Sequence, residues 1–271
     1  MSRDSLLHDY ARDAALALRL LARRPGFTAV ALLTLGLGIG APTAVFSVVR
    51  AVLLSPLPYR DADRIVTFRI ESQAAAGAIA FDALPASAAL EWSGRSTALA
   101  ELALYHDRAL TLSTGDGPFR LSGIAGTSNL FSVLGVQPAI GRVFDRAARD
   151  AHEIVLSHDT WQRYFGGSRA VLDSTVRLDG EPYRVVGVMP EPFEFPTPEA
   201  AFWTPVELSV GATRGMLLPA IARLSPAATV QAVVQEGRAL LDEMGGRAAG
   251  ERTLVVRTLR DQMVSGVERR L

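Results

Sequence analysis

The sequence predicts an α+β protein: one N-terminal transmembrane helix followed by an extracytoplasmic domain of two α+β lobes. Three features point there. The stretch FTAVALLTLGLGIGAPTAVFSVV, Phe27 to Val49, carries no charged side chain and supplies the roughly 20 apolar residues needed to cross about 30 Å of hydrocarbon. Downstream, TVRLDGEPYRVVGV alternates apolar and polar residues on both sides of Asp179-Gly180, the pattern of a tight β-hairpin. Between such strand signals lie segments with helical spacing and glycine stops, so both kinds of element mix in one domain.

The apolar run has two competitors. Gly36-Leu37-Gly38-Ile39-Gly40-Ala41 fits a loosened dinucleotide-binding pattern, with Asp61 near the distance of a ribose ligand. That pattern needs an entering strand and a second βαβ unit, and neither is legible. A Walker loop is excluded because the chain contains no lysine. A signal peptide has an apolar core of about 7 to 15 residues, shorter than this one, and apolar character resumes at Ala51 to Leu54. As a span, the run places Gly36, Gly40 and Ala44 on one face, either a surface that another helix can approach closely or a reflection of the higher glycine frequency of membrane helices. Arg12, Arg19, Arg23 and Arg24 precede it, against Arg50 and Arg60 after it, so the N-terminus is expected in the cytoplasm. Residues 1–26 read as a cytoplasmic amphipathic segment that lies along the membrane surface and turns into the span at Pro25-Gly26, a pattern that a soluble helix packed on a partner would share, and the span itself as 27–54.

Beyond the span, a Pro-rich exit leads to a strand over Arg64 to Ile70. Gln73 to Ile79 is small and Ala/Gly-rich, which predicts a mobile loop, and Leu84 to Trp92 a short helix starting at Pro85. Leu110 to Thr114 and Phe119 to Ile124 flank a Gly-Asp-Gly-Pro turn and predict a hairpin. Asn129 to Leu134 reads as a helix capped by Gly135, and Ser157 as the start of a helix that runs through Phe165 to Gly166-Gly167. Pro190 to Pro198 reads as a rigid aromatic loop. Leu217 to Leu224 is expected as a strand, Thr229 to Met244 as an amphipathic helix ended by Gly245-Gly246, and Leu254 to Thr258 as a strand. The domain then covers residues 55–258, one lobe from about 60–125 plus 212–258 and an inserted lobe from about 126–211.

Composition narrows the chemistry. The 271 residues are net neutral, which gives no basic surface for nucleic acid, and no cysteine means no disulfide, thiolate metal site or cysteine nucleophile. No nucleophile elbow is present, and without lysine there is no Schiff base. His152 and His158, beside Glu153 and Asp159, have neither helical i, i+4 spacing nor a zinc pattern, and read as surface or capping groups. Glu191, Glu194 and Glu199 sit in a loop and read as solvated rather than as paired acid–base carboxylates. Phe193, Phe195, Phe202 and Trp203 pin the aromatic loop to a sheet, or else form a partner-contact surface. No catalytic, cofactor or metal site is expected.

These residues carry a resemblance. LRLLARRPGFTAVALLTLGLGIGAPTAVFSVVRAVLLSPLPYRDADRIV is similar to the first membrane helix and flanks of MacB-like, FtsX-type ABC transporter permeases, in particular the duplicated orphan permeases. NLFSVLGVQPAIGRVF, IVLSHDTWQRYFGG, TVRLDGEPYRVVGVMP, FWTPVEL and ARLSPAATVQAV resemble, in order, the periplasmic core domain of that family. The resemblance implies a bacterial inner-membrane protein without catalysis or cofactor of its own. Its implied partners are a cytoplasmic ABC ATPase, other permease helices or a second permease copy, and the bilayer. Two positions depart from the pattern: Pro42 stands where a small polar residue is expected, and Asp173 where glycine is usual before the hairpin. LRDQMVSGVERRL, residues 259–271, resembles the approach to a second span, with the ATPase-docking loop expected further on. A single-pass anchored binding module without an ATPase is the alternative. A membrane-anchored hydrolase would need a nucleophile–base pair that is not visible.

Overall fold

The computed structural model describes residues 23–53, 59–74, 77–114, 117–144, 152–244 and 252–261. Residues 1–22 of the predicted amphipathic segment 1–26, Gly245-Gly246 and most of the C-terminal segment lie outside them. By internal contacts the chain forms two units, residues 1–56 and 57–271.

The first unit holds helix α1, Pro25–Leu53. Its described side chains face outward, Phe27, Leu33 and Leu37 among them, and Pro25–Thr43 is long and apolar enough to cross a membrane. In lipid a polar group must find its partner within the protein. Thr28, Thr34 and Thr43 do so by donating their hydroxyls to the carbonyls of Arg24, Val30 and Ile39, four residues back. Pro42 lies inside the helix and, having no N–H, offers no donor to the carbonyl of Gly38.

The second unit is built on an eleven-stranded sheet. Its first part is open: β1 (Ile65–Ala74) pairs with β13 (Arg252–Thr258), with β12 (Ala220–Leu224) and with β2 (Gly77–Phe81), and β12 pairs with β4 (Leu99–Thr114), all antiparallel. Within the loop expected at Gln73 to Ile79, the described residues are paired strand instead: Gln73 of β1 lies opposite Ala78 of β2, and Ala74 opposite Gly77. Small side chains do not prevent a backbone ladder, and β13 already holds Ile70 to Ser72 extended from the other side. The expected strand Leu217–Leu224 is split at Pro219 into β11 (Leu217–Leu218), paired with β3 (Leu84–Pro85), and β12. Proline has no N–H to give the ladder.

The second part closes on itself. β4 pairs with β5 (Gly117–Gly126), β5 with β10 (Phe202–Pro205), β10 with β7 (Glu153–Leu156), β7 with β9 (Glu181–Val188), β9 with β8 (Thr175–Leu178), and β8 returns to β4 through Leu112 opposite Leu178. Short β6 (Ile140–Gly141) flanks β9. The handover from open sheet to barrel takes place inside β4: residues up to Leu104 pair with β12 and those from Tyr105 onward with β5. That corrects the lobe boundary expected near residue 125, because the β4–β5 hairpin belongs to the barrel.

Strand alternation then sorts three cores. Val66, Phe68 and Ile70 pack under α2 (Ala86–Arg95) and α5 (Val230–Met244). Ile154, Val185 and Phe202 fill the barrel. Ile65, Ile221, Val155 and Trp203 meet α3 (Leu130–Leu134) in a seam between the open sheet and the outside of the barrel.

Local chemistry follows the sequence closely. Asp179 and Gly180 take φ of 49° and 85°, the two positive values that a tight hairpin turn requires. Helix α4 (His158–Phe165) is capped by the Ser157 hydroxyl, which accepts from Thr160 N, and ends at left-handed Gly166. Asp173 adopts φ 59°, a conformation glycine reaches without strain, so the departure from the family pattern keeps the turn that glycine would make.

One carboxylate joins the two helices over the first core. Glu236 of α5 accepts from Trp92 Nε1 at 3.0 Å, Thr97 Oγ1 at 2.8 Å, the N–H groups of Thr97 and Ala98 at 3.2 and 3.1 Å, and the Ser96 hydroxyl. Burial raises its pKa, but the hydrogen bonds from Ser96, Trp92, Thr97 and Ala98 together outweigh burial and bring it from 4.5 down to about 2. A depressed folded pKa means stability that is present above the unfolded value and lost as pH falls through the folded one. Urea midpoints should therefore drop between about pH 4.5 and 2, and Glu236→Gln, measured by tryptophan fluorescence in micelles, should flatten that drop. An unchanged acid response in the variant would show that other carboxylates carry it.

Candidate functional site

Two groups were singled out by the sequence, and the structure treats them differently. On α1, Gly36 and Gly40 have open space where a Cβ would stand, and their helix neighbours are exposed. The side chain of Ala44 lies outside the described residues. The aromatic group, by contrast, is interior. Phe193, Phe195, Phe202 and Trp203 are all buried, which corrects the reading of these side chains as a partner-contact surface. Adjacent in sequence, Phe202 and Trp203 point to opposite sides of β10, one into the barrel and the other into the seam. Trp203 Nε1 donates to Phe195 O at 3.0 Å, and its ring lies 5.1 Å from that of Phe193, which fixes the loop to the sheet.

His152 and His158 each lie beside an aromatic ring. His152 lies 5.2 Å from the Tyr183 ring and His158 5.6 Å from Trp161. Among the described residues no three His, Asp or Glu side chains are grouped to hold a metal ion. Glu191, Glu194 and Glu199 are exposed. Glu153 is the exception among the acids. It is buried and bound by Arg142 at 3.0 and 2.5 Å and by Arg184 at 2.5 Å.

A further constellation, which no local pattern announces, lies where the chain enters the domain. Val66 of β1 pairs with Thr258 of β13, and Arg260 lies 3.8 Å from Asp63, so the incoming and outgoing chain run side by side. Tyr59 donates its hydroxyl to Glu194 O at 3.2 Å, and Arg64 to Leu224 O at 2.5 Å. Burial raises the pKa of Tyr59, with Glu194 adding to it, so the phenol stays neutral. Arg223 of β12 donates through Nε to Val133 O and through Nη2 to Arg60 O, both at 2.9 Å. Beside it opens a cleft of about 770 Å³ between Arg60 and α3, lined by Glu101, Asn129, Ser132 and Gln137. Ser132 Oγ donates to Glu101 at 3.0 Å, and Asn129 Nδ2 to Leu102 O at 2.9 Å. The sequence gives no sign of this arrangement, because Arg60, Glu101, α3 and Arg223 lie far apart in the chain.

A family model described as the MacB-like periplasmic core domain matches residues 28–240, most of the chain. The chain belongs to that family. Solved structures agree on the fold. The periplasmic region of MacB from Actinobacillus actinomycetemcomitans is 18% identical at a TM-score of 0.51, covering 74% of this chain and 92% of its own. A domain assigned to a permease protein of Porphyromonas gingivalis is 15% identical at 0.56, with the same coverage. The extracellular domain of the noncanonic ABC-type transporter YknZ from Gram-positive bacteria is 14% identical at 0.52, covering 70% of this chain and 99% of its own. No curated protein matches the sequence significantly. The MacB-like match begins at Thr28, inside α1, and stops at Leu240, inside α5. β13 lies beyond the match yet pairs with β1 from Val66 to Ser72, so the MacB-like domain extends structurally to Thr258.

Proposed function

We propose that this chain is the first membrane helix and extracytoplasmic domain of an ABC-type permease of the MacB/FtsX class. In this reading its N-terminus lies in the cytoplasm of the bacterial inner membrane. A cytoplasmic ATPase drives it, and the helix carries the motion outward to a domain that acts on periplasmic substrates or partners. The observation that carries the proposal is the unbroken family match from an outward-facing apolar helix into the MacB-like domain. Open sheet and barrel serve as the two lobes, with the aromatic seam between them as the surface across which they bear on each other.

Two experiments test this reading. The chain contains no cysteine, so a single introduced thiol is a unique topology marker. Ser93→Cys, on the exposed side of α2, should react with a membrane-impermeant maleimide on spheroplasts, and Ser5→Cys only after permeabilisation. The opposite pattern would invert the topology. Isolated from its native membrane, the protein should bring an ATP-hydrolysing subunit with it. Recovery without one would favour a single-pass anchored module.

The face formed by Gly36, Gly40 and Ala44 is proposed to pack against other permease helices or a second copy. Close backbone approach there depends on the missing side chains. Gly40→Leu in the full-length protein should reduce interhelix crosslinking several-fold while the outer domain unfolds at the same urea concentration as wild type. Unchanged crosslinking would remove the packing role.

A further inference from the structure

We infer that Arg223 is the residue through which movement of the incoming chain reaches the cleft, a role that rests on the permease reading above. Arg223 lies in β12, directly between Ile65 of β1 and Glu101 of β4. Its side chain therefore shares the sheet face on which α3 sits. From there one guanidinium binds the carbonyl of Arg60, a residue that lines the cleft, and the carbonyl of Val133 in α3, the helix whose Phe131 and Ser132 line it. The fork is planar and rigid, so the two carbonyls are kept at a fixed spacing.

The junction has no slack. Gly135, at φ 66°, closes α3, and a Cβ added there would come within 2.7 Å of Arg223 Nη2 and 3.0 Å of Arg60 Cβ. Among the described residues, other polar ties of the incoming segment run from Tyr59 to Glu194, from Arg64 to Leu224 at the end of β12 and from Asp63 to Arg260. An apolar route also exists, from Tyr59 to Phe193 at 6.1 Å and on to Phe131 at 6.0 Å. Those ring pairs are packing contacts about 6 Å between centroids, whereas the guanidinium bonds are short and directional. When the chain behind Arg60 is displaced, Arg223 transmits the shift to α3. The cleft between Arg60, Glu101 and α3 then changes width.

The test is hydrogen exchange on the whole protein in lipid nanodiscs, read in peptides covering residues 59–66, 128–137 and, as reference, the barrel strand 181–188. In Arg223→Ala both of the first two segments should exchange roughly tenfold faster, the loss expected when charged hydrogen bonds are removed, with the barrel unchanged. Arg223→Lys should loosen both as well, because an ammonium cannot span two carbonyls as a fork does. Acceleration of one segment alone, or of the barrel to the same extent, would overturn the clamp.

In the full-length permease with its ATPase, ATP should alter exchange in both segments of the wild type, but only in 59–66 of Arg223→Ala. A persisting α3 response would overturn the coupling role and assign it to the aromatic route. No ATP response at 59–66 in the wild type would sink the permease reading and the coupling role with it, while the clamp stands on the first measurement.

Discussion

Replacing Trp203 by alanine is expected to destabilise the outer domain by about 3–5 kcal/mol, the range for deleting a large buried aromatic. The ring is fully buried in the seam, against Phe193 at 5.1 Å and Phe131 at 6.1 Å. Its Nε1 holds the backbone of the aromatic loop at Phe195. Trp203→Phe keeps most of the volume and loses that bond, leaving the Phe195 carbonyl unpaired, so it should cost about 1–2 kcal/mol. Phe81→Ala is the control. Phe81 is 43% exposed at the β1–β2 hairpin, and its removal should cost under about 1 kcal/mol. Urea unfolding in micelles, followed through the fluorescence of Trp92 and Trp161, gives all three values. A Trp203→Ala loss no larger than that of Phe81→Ala would mean that the aromatic loop is surface after all.

Glu153→Ala should be the second large effect, about 2–3 kcal/mol, below the usual range for breaking a buried ion pair. The discount has a structural reason: the carboxylate is only 3% exposed, but Arg142 and Arg184 are 49% and 47% exposed, so water partly solvates the cations left behind. Arg142 follows β6, Glu153 opens β7 and Arg184 lies in β9, so the carboxylate ties three pieces of the barrel wall. Arg142→Ala and Arg184→Ala should each cost less than Glu153→Ala, since the remaining arginine still neutralises the acid. Equal losses for all three single variants, measured as urea midpoints, would show that neither arginine can hold Glu153 alone.

How much of this was legible in advance depends on how far apart the interacting residues lie. Asp179-Gly180, Ser157 with Gly166, and Gly135 behave as their types and spacing predict. Each of those features is decided within a few residues, by the conformations a backbone allows and by donors left free at a helix end. Gln73 to Ile79 misled because composition describes what side chains contribute, whereas that hairpin is held by backbone pairing to a strand already ordered by β13. The candidate site was hidden for a related reason. Arg223 reaches Arg60 across 163 residues, and Glu236 reaches Thr97 across 139. Nothing near Arg223 or Glu236 marks either as different from an ordinary surface charge.

The sequence by itself determined the apolar helix, the turns and caps, and the α+β character, because periodicity, charge exclusion and positive-φ positions are local properties of the chain. Only the tertiary structure decided that β8 returns to β4 to close a barrel, that neighbours Phe202 and Trp203 serve different cores, and that one arginine joins the incoming chain to α3. Those outcomes depend on which distant surfaces meet. A sheet edge or a guanidinium can pair with many partners of similar energy, and packing of the whole domain selects one.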